Sequence, residues 1–325
     1  MRYLITGGCG FIGSNFIRFL MDKYEDSHIV NLDKLTYCGN PENLKDFAKD
    51  KRYTFIMGDI CDDKVVEKAI QEADIVINFA AETHVDRSIK YPNDFINTNI
   101  SGVKVLLEAA KRSDIKKFIQ IGTDEVYGSV SEGESVEEDP LKPNSPYSAT
   151  KAAGDLLALS YYQTYGVPVT VVRSSNNFGP FQYPEKVIPL FITNLLTGKK
   201  VPLYGDGGNV RDWLYVGDNC AGIDVIANHG EKGKIYNLGG NNCLSNLELT
   251  AAILSKLDKG KESIEFVNDR PGHDRRYALN SVKSRDLGWK TEGTFDERLK
   301  ETIHWYKENV SWWKPLKDKA EIIEW

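Results

Sequence analysis

Six short apolar runs set the strongest limit on what this chain can fold into. YLITG (3–7), IVNLD (29–33), YTFIMGD (53–59), DIVINFAA (74–81), KFIQIG (117–122) and VTVVRS (169–174) are rich in β-branched residues and largely lack polar alternation. Strands of that kind are buried on both faces, which requires a sheet covered by helices on both sides. Between the runs, segments such as FIGSNFIRFLMDKY and DKVVEKAIQEA repeat apolar residues at helical spacing. The alternation predicts a parallel sheet with crossover helices, a doubly wound α/β domain over residues 1–173.

After Arg173 the pattern changes. Pro and Gly become denser (FGPFQYPEK, YGDGGN, DRPGHD), and helical stretches no longer alternate strictly with strands. Residues 174–325 therefore read mainly as a smaller C-terminal α/β substrate-binding lobe, with the chain returning to the first domain around 201–240. At 325 residues the chain is too long for one small core, which suits this division. The acidic stretch SEGESVEEDPLKP (131–143) reads as a solvated loop, and WWKPL (312–316) as packing.

Charge and cysteine usage narrow the partners. A net charge of -6 argues against nucleic acid, because phosphate-backbone binding leaves a basic footprint. No apolar run approaches the ~18 residues of a membrane span, and MRYLITGG reads as strand and turn rather than a cleavable leader. Cysteines 9, 38, 61, 220 and 243 are odd in number and contain no C-x-x-C pair, so neither a disulfide framework nor a zinc site is expected. A reducing cytoplasm fits best.

GGCGFIG places Gly7, Gly8, Gly10 and Gly13 directly after a predicted strand and at the start of a predicted helix. Glycines there let the backbone approach a pyrophosphate whose charge sits at the positive helix N-terminus. Asp33 ends the second strand about twenty residues further on, where a carboxylate can take the ribose hydroxyls and repel the extra phosphate of NADP. The expectation is a Rossmann-type fold binding NAD, with Lys34 beside the acid as the one contrary sign. Asp59 and Ile60 would flank the adenine and Ala80 and Ala81 the nicotinamide side, although each could equally be an ordinary strand-end residue.

YSATK puts Tyr147 and Lys151 four apart, one helical turn from each other on one face. A neighbouring ammonium favours phenolate, so Tyr147 is predicted to ionise toward neutrality and serve as base for a sugar hydroxyl. Thr123 ends the preceding strand. For an anionic substrate the second half offers Arg211, Arg270, Lys186 and His273; Arg presents a planar fork of donors to phosphate oxygens.

With the glycine loop, Thr123, Tyr147 and Lys151 together, the sequence resembles the extended short-chain dehydrogenase/reductase family over nearly its whole length. TDEVYG, AAETHVDRS (80–88), RSSNNFGPFQYPEKVIPL (173–190), RDWLYV (211–216) and DRPGHDRRYA (269–278) are similar to the nucleotide-sugar 4,6-dehydratases within it. The resemblance implies dTDP-glucose as substrate and a homodimer built through paired helices. It makes Glu125 the base for the sugar C5 proton and Asp124 the acid for the departing C6 oxygen. Two close carboxylates repel, so one can stay protonated near neutral pH.

The resemblance extends the NAD site to Phe11, Ile12, Leu35, Thr36, Glu82, Thr98 and Asn177. It assigns Thr83, His84, Thr123 and Asn176 to the sugar side. Lys186, Val187, Ile188, Pro189, Leu190, Pro202, Leu203, Tyr204, Arg211 and Asn246 would surround the nucleotide, joined by Asp269, Arg270, Pro271, Gly272 and His273. Cys9 departs from the pattern, standing where a smaller Ala is common.

Consecutive strand residues point to opposite faces, so Asp124 and Glu125 can share one sugar only if the chain has left strand geometry by Thr123. Otherwise one of the pair is structural, for instance a helix cap. Three alternatives stay open: a UDP-glucose dehydratase, a 4-epimerase needing only the Tyr–Lys pair, and a non-catalytic NAD-sensing regulator.

Overall fold

A computed structural model of the chain describes residues 1–320. Each apolar run forms a strand: β1 (Arg2–Thr6), β2 (His28–Asp33), β3 (Tyr53–Met57), β4 (Ile75–Asn78), β5 (Lys117–Thr123) and β6 (Val169–Ser174). Six further strands follow: β7 (Asn176–Phe178), β8 (Val201–Tyr204), β9 (Val210–Tyr215), β10 (Ile235–Leu238), β11 (Cys243–Ser245) and β12 (Ile264–Val267).

The large sheet has the order β10-β6-β5-β4-β1-β2-β3, and all its pairings are parallel. Strand order reverses between β1 and β4, which opens a crevice at the carboxyl ends of the strands. Helices cover both faces. Ile5, Ile77 and Ile119 pack with Phe16, Leu20 and Ile223 on one side. Leu4, Val76 and Phe118 pack with Leu106, Ala158 and Val66 on the other. Neighbours such as Leu4 and Ile5 point to opposite faces and both are fully buried, which is why these strands lack polar alternation.

Within 201–240, only the latter part joins this sheet. The helix Val216–His229 contributes Cys220, Ile223 and Ile226 to the same layer as Phe16, and β10 pairs with β6. β8 and β9 belong to the lobe, in a β12-β8 pair and a β11-β9-β7 sheet. The lobe core gathers Phe178, Ile188, Leu203, Trp213, Leu249, Tyr306 and Trp313.

The acidic stretch 131–143 is a loop, but not a wholly solvated one. Ser135 donates its N–H to Ala278 and accepts from Asn280 N–H (2.8 and 2.9 Å), while the buried Glu137 carboxylate accepts the N–H of Asn237 in β10 (2.9 Å). An edge strand has backbone donors to satisfy, and the glutamate satisfies one. Among the described residues no helix is long and apolar enough to cross a membrane.

Candidate active site

The crevice begins at the glycine loop between β1 and the helix Phe11–Lys23. Gly7 has φ +68°, and a Cβ there would lie 2.6 Å from Ala80 N; one on Gly13 would lie 2.4 Å from the Gly7 carbonyl. Any side chain would therefore push the loop off both β4 and its own helix. Gly10 caps the helix, a Cβ there would lie 3.3 Å from the Gly7 carbonyl, and the first turn carries no acidic residue. The loop thus offers helix N–H groups without a repelling carboxylate.

The residues expected around NAD come together in one groove. Gly7, Gly10, Phe11, Ile12, Gly13, Asp33, Lys34, Thr36, Asp59, Ile60, Ala80, Ala81, Glu82, Thr98, Tyr147 and Lys151 line it. Leu35 and Asn177 are not among its lining. Leu35, at φ +56°, instead donates its N–H to Asp33 Oδ1 (2.8 Å), whose other oxygen takes the N–H of Cys9 (2.8 Å). Burial raises the pKa of Asp33, opposed by those two N–H bonds. Lys34 is paired with Asp59 at 2.7 Å, so its charge is already engaged by a carboxylate.

Tyr37, Cys38, Gly39, Gln182, Tyr183 and Glu185 also line the groove, and the glycine-loop reasoning did not find them. The last three lie inside the quoted 173–190 segment. Buried oxygens of Gln182, Glu185 and Asn177 have no hydrogen-bond partner. Orphaned polar atoms of this kind fit a polar ligand such as a dinucleotide.

The catalytic segment leaves strand geometry where the carboxylate pair requires it. β5 ends at Thr123, whose Oγ1 accepts the Glu125 N–H (3.3 Å) and caps a 3₁₀ turn, Asp124–Tyr127. About three residues per turn separate Asp124 and Glu125 by roughly 120° instead of a strand's reversal. The cap is thus Thr123, and neither acid is needed for it.

The two acids occupy different electrostatic surroundings. Asp124 is 3% exposed; Oδ1 accepts from the Thr123 hydroxyl (3.1 Å) and Oδ2 has no partner. Burial, then the charges of Glu125 and Asp212, push its pKa well above the carboxylate range. Burial also raises the pKa of Glu125, but Arg270, Arg211 and Lys186 oppose the shift by favouring its anion.

Tyr147 and Lys151 share one face of the helix Pro146–Tyr165, which Ser145 begins with a capping box. The surroundings of Tyr147 oppose the expected ionisation toward neutrality. Burial, then the negative charge of Glu125, raises its pKa, while hydrogen bonds with Thr83 and Thr123 favour the phenolate. The ammonium is turned elsewhere: Lys151 Nζ donates to the Ile121 carbonyl.

Charged groups gather around Glu125, Arg270 and Arg211 among them. Arg270 pairs with the buried Asp86 at 2.9 Å, and Tyr204 donates to the other Asp86 oxygen at 3.4 Å. Arg211 donates to the carbonyls of Val210 and Asp274 (2.8 and 2.9 Å), with its guanidinium 4.4 Å from the Tyr277 ring centre. His273 bonds Asp269 at 2.6 Å and meets Tyr204 edge-on. Burial, then Arg270, lowers its pKa to about 4, so its imidazole is neutral and donates Nδ1–H. Asp86, Asp274 and Tyr277 went unrecognised in the sequence, although each stands inside a quoted segment.

Other expected substrate residues are placed less directly. Thr83 and Lys186 line the groove. Lys186 immediately precedes the helix Val187–Leu196, and Pro189 is buried within it. The side chains of Ile188, Leu190 and Leu203 belong to the lobe core, with Val187 packed against it. Pro202 is half-buried in β8. His84 holds φ +79° with a buried, unpartnered Nδ1, and Asn176 has a buried, unpartnered Oδ1. Asn246 opens the helix Asn246–Lys256, its N–H bonded to Asn209. Pro271 and Gly272 are exposed.

A doubly wound sheet with a glycine loop and a Thr–Tyr–Lys group defines an extended short-chain dehydrogenase/reductase. Residues 4–302 match the model of the family described as GDP-mannose 4,6 dehydratase. The chain is 49% identical over 306 residues to a low-salt glycan biosynthesis protein of Haloferax volcanii, covering 94% of this chain and 98% of that one. It is equally 49% identical to dTDP-glucose 4,6-dehydratase of Streptomyces antibioticus over 325 residues, 98% of this chain and 96% of the other. The crystal structure of dTDP-glucose 4,6-dehydratase from Bacillus anthracis in complex with NAD superposes with a TM-score of 0.92 at 49% identity, covering 97% of this chain and 99% of that chain. The chain belongs to the nucleotide-sugar 4,6-dehydratase family that this model and these relatives represent.

Proposed function

We propose that the chain is a NAD-dependent dTDP-glucose 4,6-dehydratase, a hydro-lyase that converts dTDP-glucose to dTDP-4-keto-6-deoxyglucose and water. One observation carries the reading: two adjacent acids on a capped turn, one with an unpartnered oxygen in a setting that favours its protonated form, the other facing three cations. Alcohol oxidation alone needs neither acid.

NAD⁺, held by the glycine loop, Asp33 and the strand ends, would supply a hydride acceptor for C4 of the hexose and a hydride donor for C6. The protein's own groups move the protons. Tyr147 takes the C4 hydroxyl proton, assisted by the Thr83 and Thr123 hydroxyls that bond its phenol. The C4 ketone acidifies the C5 hydrogen, which Glu125 removes as its carboxylate is stabilised by Arg270, Arg211 and Lys186. Asp124 delivers its proton to the departing C6 oxygen, completing the loss of water, and a proton finally returns to C5. General acid and base groups of this kind each contribute on the order of 10²–10⁴ in rate.

In this reading the 7–13 loop, Asp33, Lys34, Asp59 and the ends of β4 and β5 hold the dinucleotide. Thr83, Asn176, Lys186, Arg211, Arg270 and His273 hold the nucleotide sugar. A cytoplasmic homodimer accompanies the assignment: all five cysteines are free, and Ile96, Leu156 and Tyr165 leave apolar surface on the helices that paired copies would share.

Incubation with dTDP-glucose deuterated at C4, without added reductant, tests the chemistry. The expected product is the 4-keto-6-deoxy sugar with deuterium at C6; retention of label at C4 would reject the dehydratase assignment.

A further inference from the structure

The WWKPL stretch, read from the sequence as packing, divides between two settings. Trp313 is a core residue, 2% exposed, whose indole N–H goes to the Tyr306 carbonyl (2.7 Å). Trp312 lies at the seam between lobe and dinucleotide domain. Its ring contacts Trp305 and Phe181, and its Nε1 donates to Asn43 Oδ1 at 2.8 Å.

Asn43 follows β2 within the 3₁₀ stretch Pro41–Phe47 and is 1% exposed. Its Nδ2 donates to the Cys9 carbonyl at 3.0 Å. The same carbonyl accepts the Asn40 N–H (2.9 Å), and the Cys9 N–H goes to Asp33. The middle of the glycine loop is therefore fastened at both its carbonyl and its N–H.

Orientation of the Asn43 amide decides whether that fastening exists, because its oxygen and nitrogen ends have nearly the same shape. An indole N–H is only a donor. It fixes Oδ1 toward Trp312 and leaves Nδ2 for Cys9. A second tie holds the same segment to the lobe: Tyr37 OH donates to Glu185 Oε1 (2.8 Å), with the Arg87 guanidinium 3.9 Å from the Tyr37 ring centre. Cys38 and Gly39 run between these ties and, with Thr36 and Tyr37, line the groove.

We propose that Trp312 and Asn43 are positioning residues for dinucleotide retention: the C-terminal helix of the lobe holds the glycine loop in its binding shape, and NAD leaves when that seam loosens. The inference rests on the dinucleotide reading of the groove and is independent of the sugar chemistry.

The test uses purified full-length protein loaded with NAD and follows loss of bound NAD after rapid desalting. Trp312→Phe keeps a ring in the cluster and removes the donor; release should quicken several-fold to about tenfold, the range a lost neutral hydrogen bond supports. Activity lost on dilution should return on adding NAD, with Tm little changed. Trp305→Phe, in the same cluster but without a bond to Asn43, should release NAD at the parental rate. In the unaltered protein, exchange of the Trp312 indole proton should be slower with NAD bound than after NAD is stripped, since coupling is reciprocal. Parental release from Trp312→Phe, equal acceleration by Trp305→Phe, or identical indole exchange in both states would overturn the proposal.

Discussion

The two walls of the cleft are made of different materials. On the dinucleotide side the surface is mostly backbone: a glycine loop, a helix N-terminus and the ends of parallel strands, shaped by the absence of side chains at Gly7, Gly10 and Gly13. On the proposed sugar-nucleotide side the groups are long charged side chains, Arg211, Arg270 and His273, brought from distant segments and each held by a second group. A backbone surface is fixed once the sheet forms. A side-chain surface is only as well placed as its partners, so its most vulnerable positions lie one residue behind the cleft.

The Asp124–Tyr127 turn is the proposed catalytic segment between the two sides, and Glu125→Gln gives the largest expected effect. kcat should fall by about 10²–10⁴ while NAD content stays parental; a near-normal rate would remove Glu125 from the mechanism. Gly13→Ala separates the walls next. Its Cβ would meet the Gly7 carbonyl at 2.4 Å, so bound NAD should be lost while affinity for dTDP, measured by calorimetry, persists.

Asp86→Asn tests the other wall. Breaking its buried pair with Arg270 should destabilise the fold by about 3–5 kcal/mol and raise KM for the sugar nucleotide, with NAD content unchanged. Equal loss of NAD would mean that the walls are not separable.

Acid should act on the charged wall first. The folded pKa of His273, about 4, lies below the ~6.5 of an unfolded chain, so the unfolded state takes up the proton first. Its contribution to stability is complete above ~6.5 and disappears as pH falls toward 4. A Tm–pH curve should drop through that window, less so for His273→Asn. Thr294→Ala, in the exposed capping box of the helix Phe295–Glu308 and outside the groove lining, should cost about 1 kcal/mol in Tm measurements and leave KM for the sugar nucleotide and NAD content unaltered.

The same contrast explains how much could be read in advance. Apolar β-branched runs announced all six N-terminal strands, although β3, at the sheet edge, is largely exposed and not buried on both faces as expected, and Gly7, Gly10, Gly13 and Asp33 are spaced by the geometry of one βαβ unit. Tyr147 and Lys151 are local, one helical turn apart. No local rule connects Asp86 to Arg270, 184 positions away, or Asn43 to Trp312, 269 away. Nor does periodicity reveal that Lys151 turns to the Ile121 carbonyl, or that burial is the largest influence on Tyr147; those depend on the completed fold.

The place of β10 beside β6 governs how the molecule can be divided. A fragment stopping at residue 173 would leave VTVVRS as a naked sheet edge and strip Cys220, Ile223 and Ile226 from the layer over Phe16. Unpaired apolar edges recruit other chains. Truncation there should yield aggregates in place of a miniature nucleotide binder, so swapping sugar-recognition modules between relatives would require exchanging interior loops and preserving 216–238.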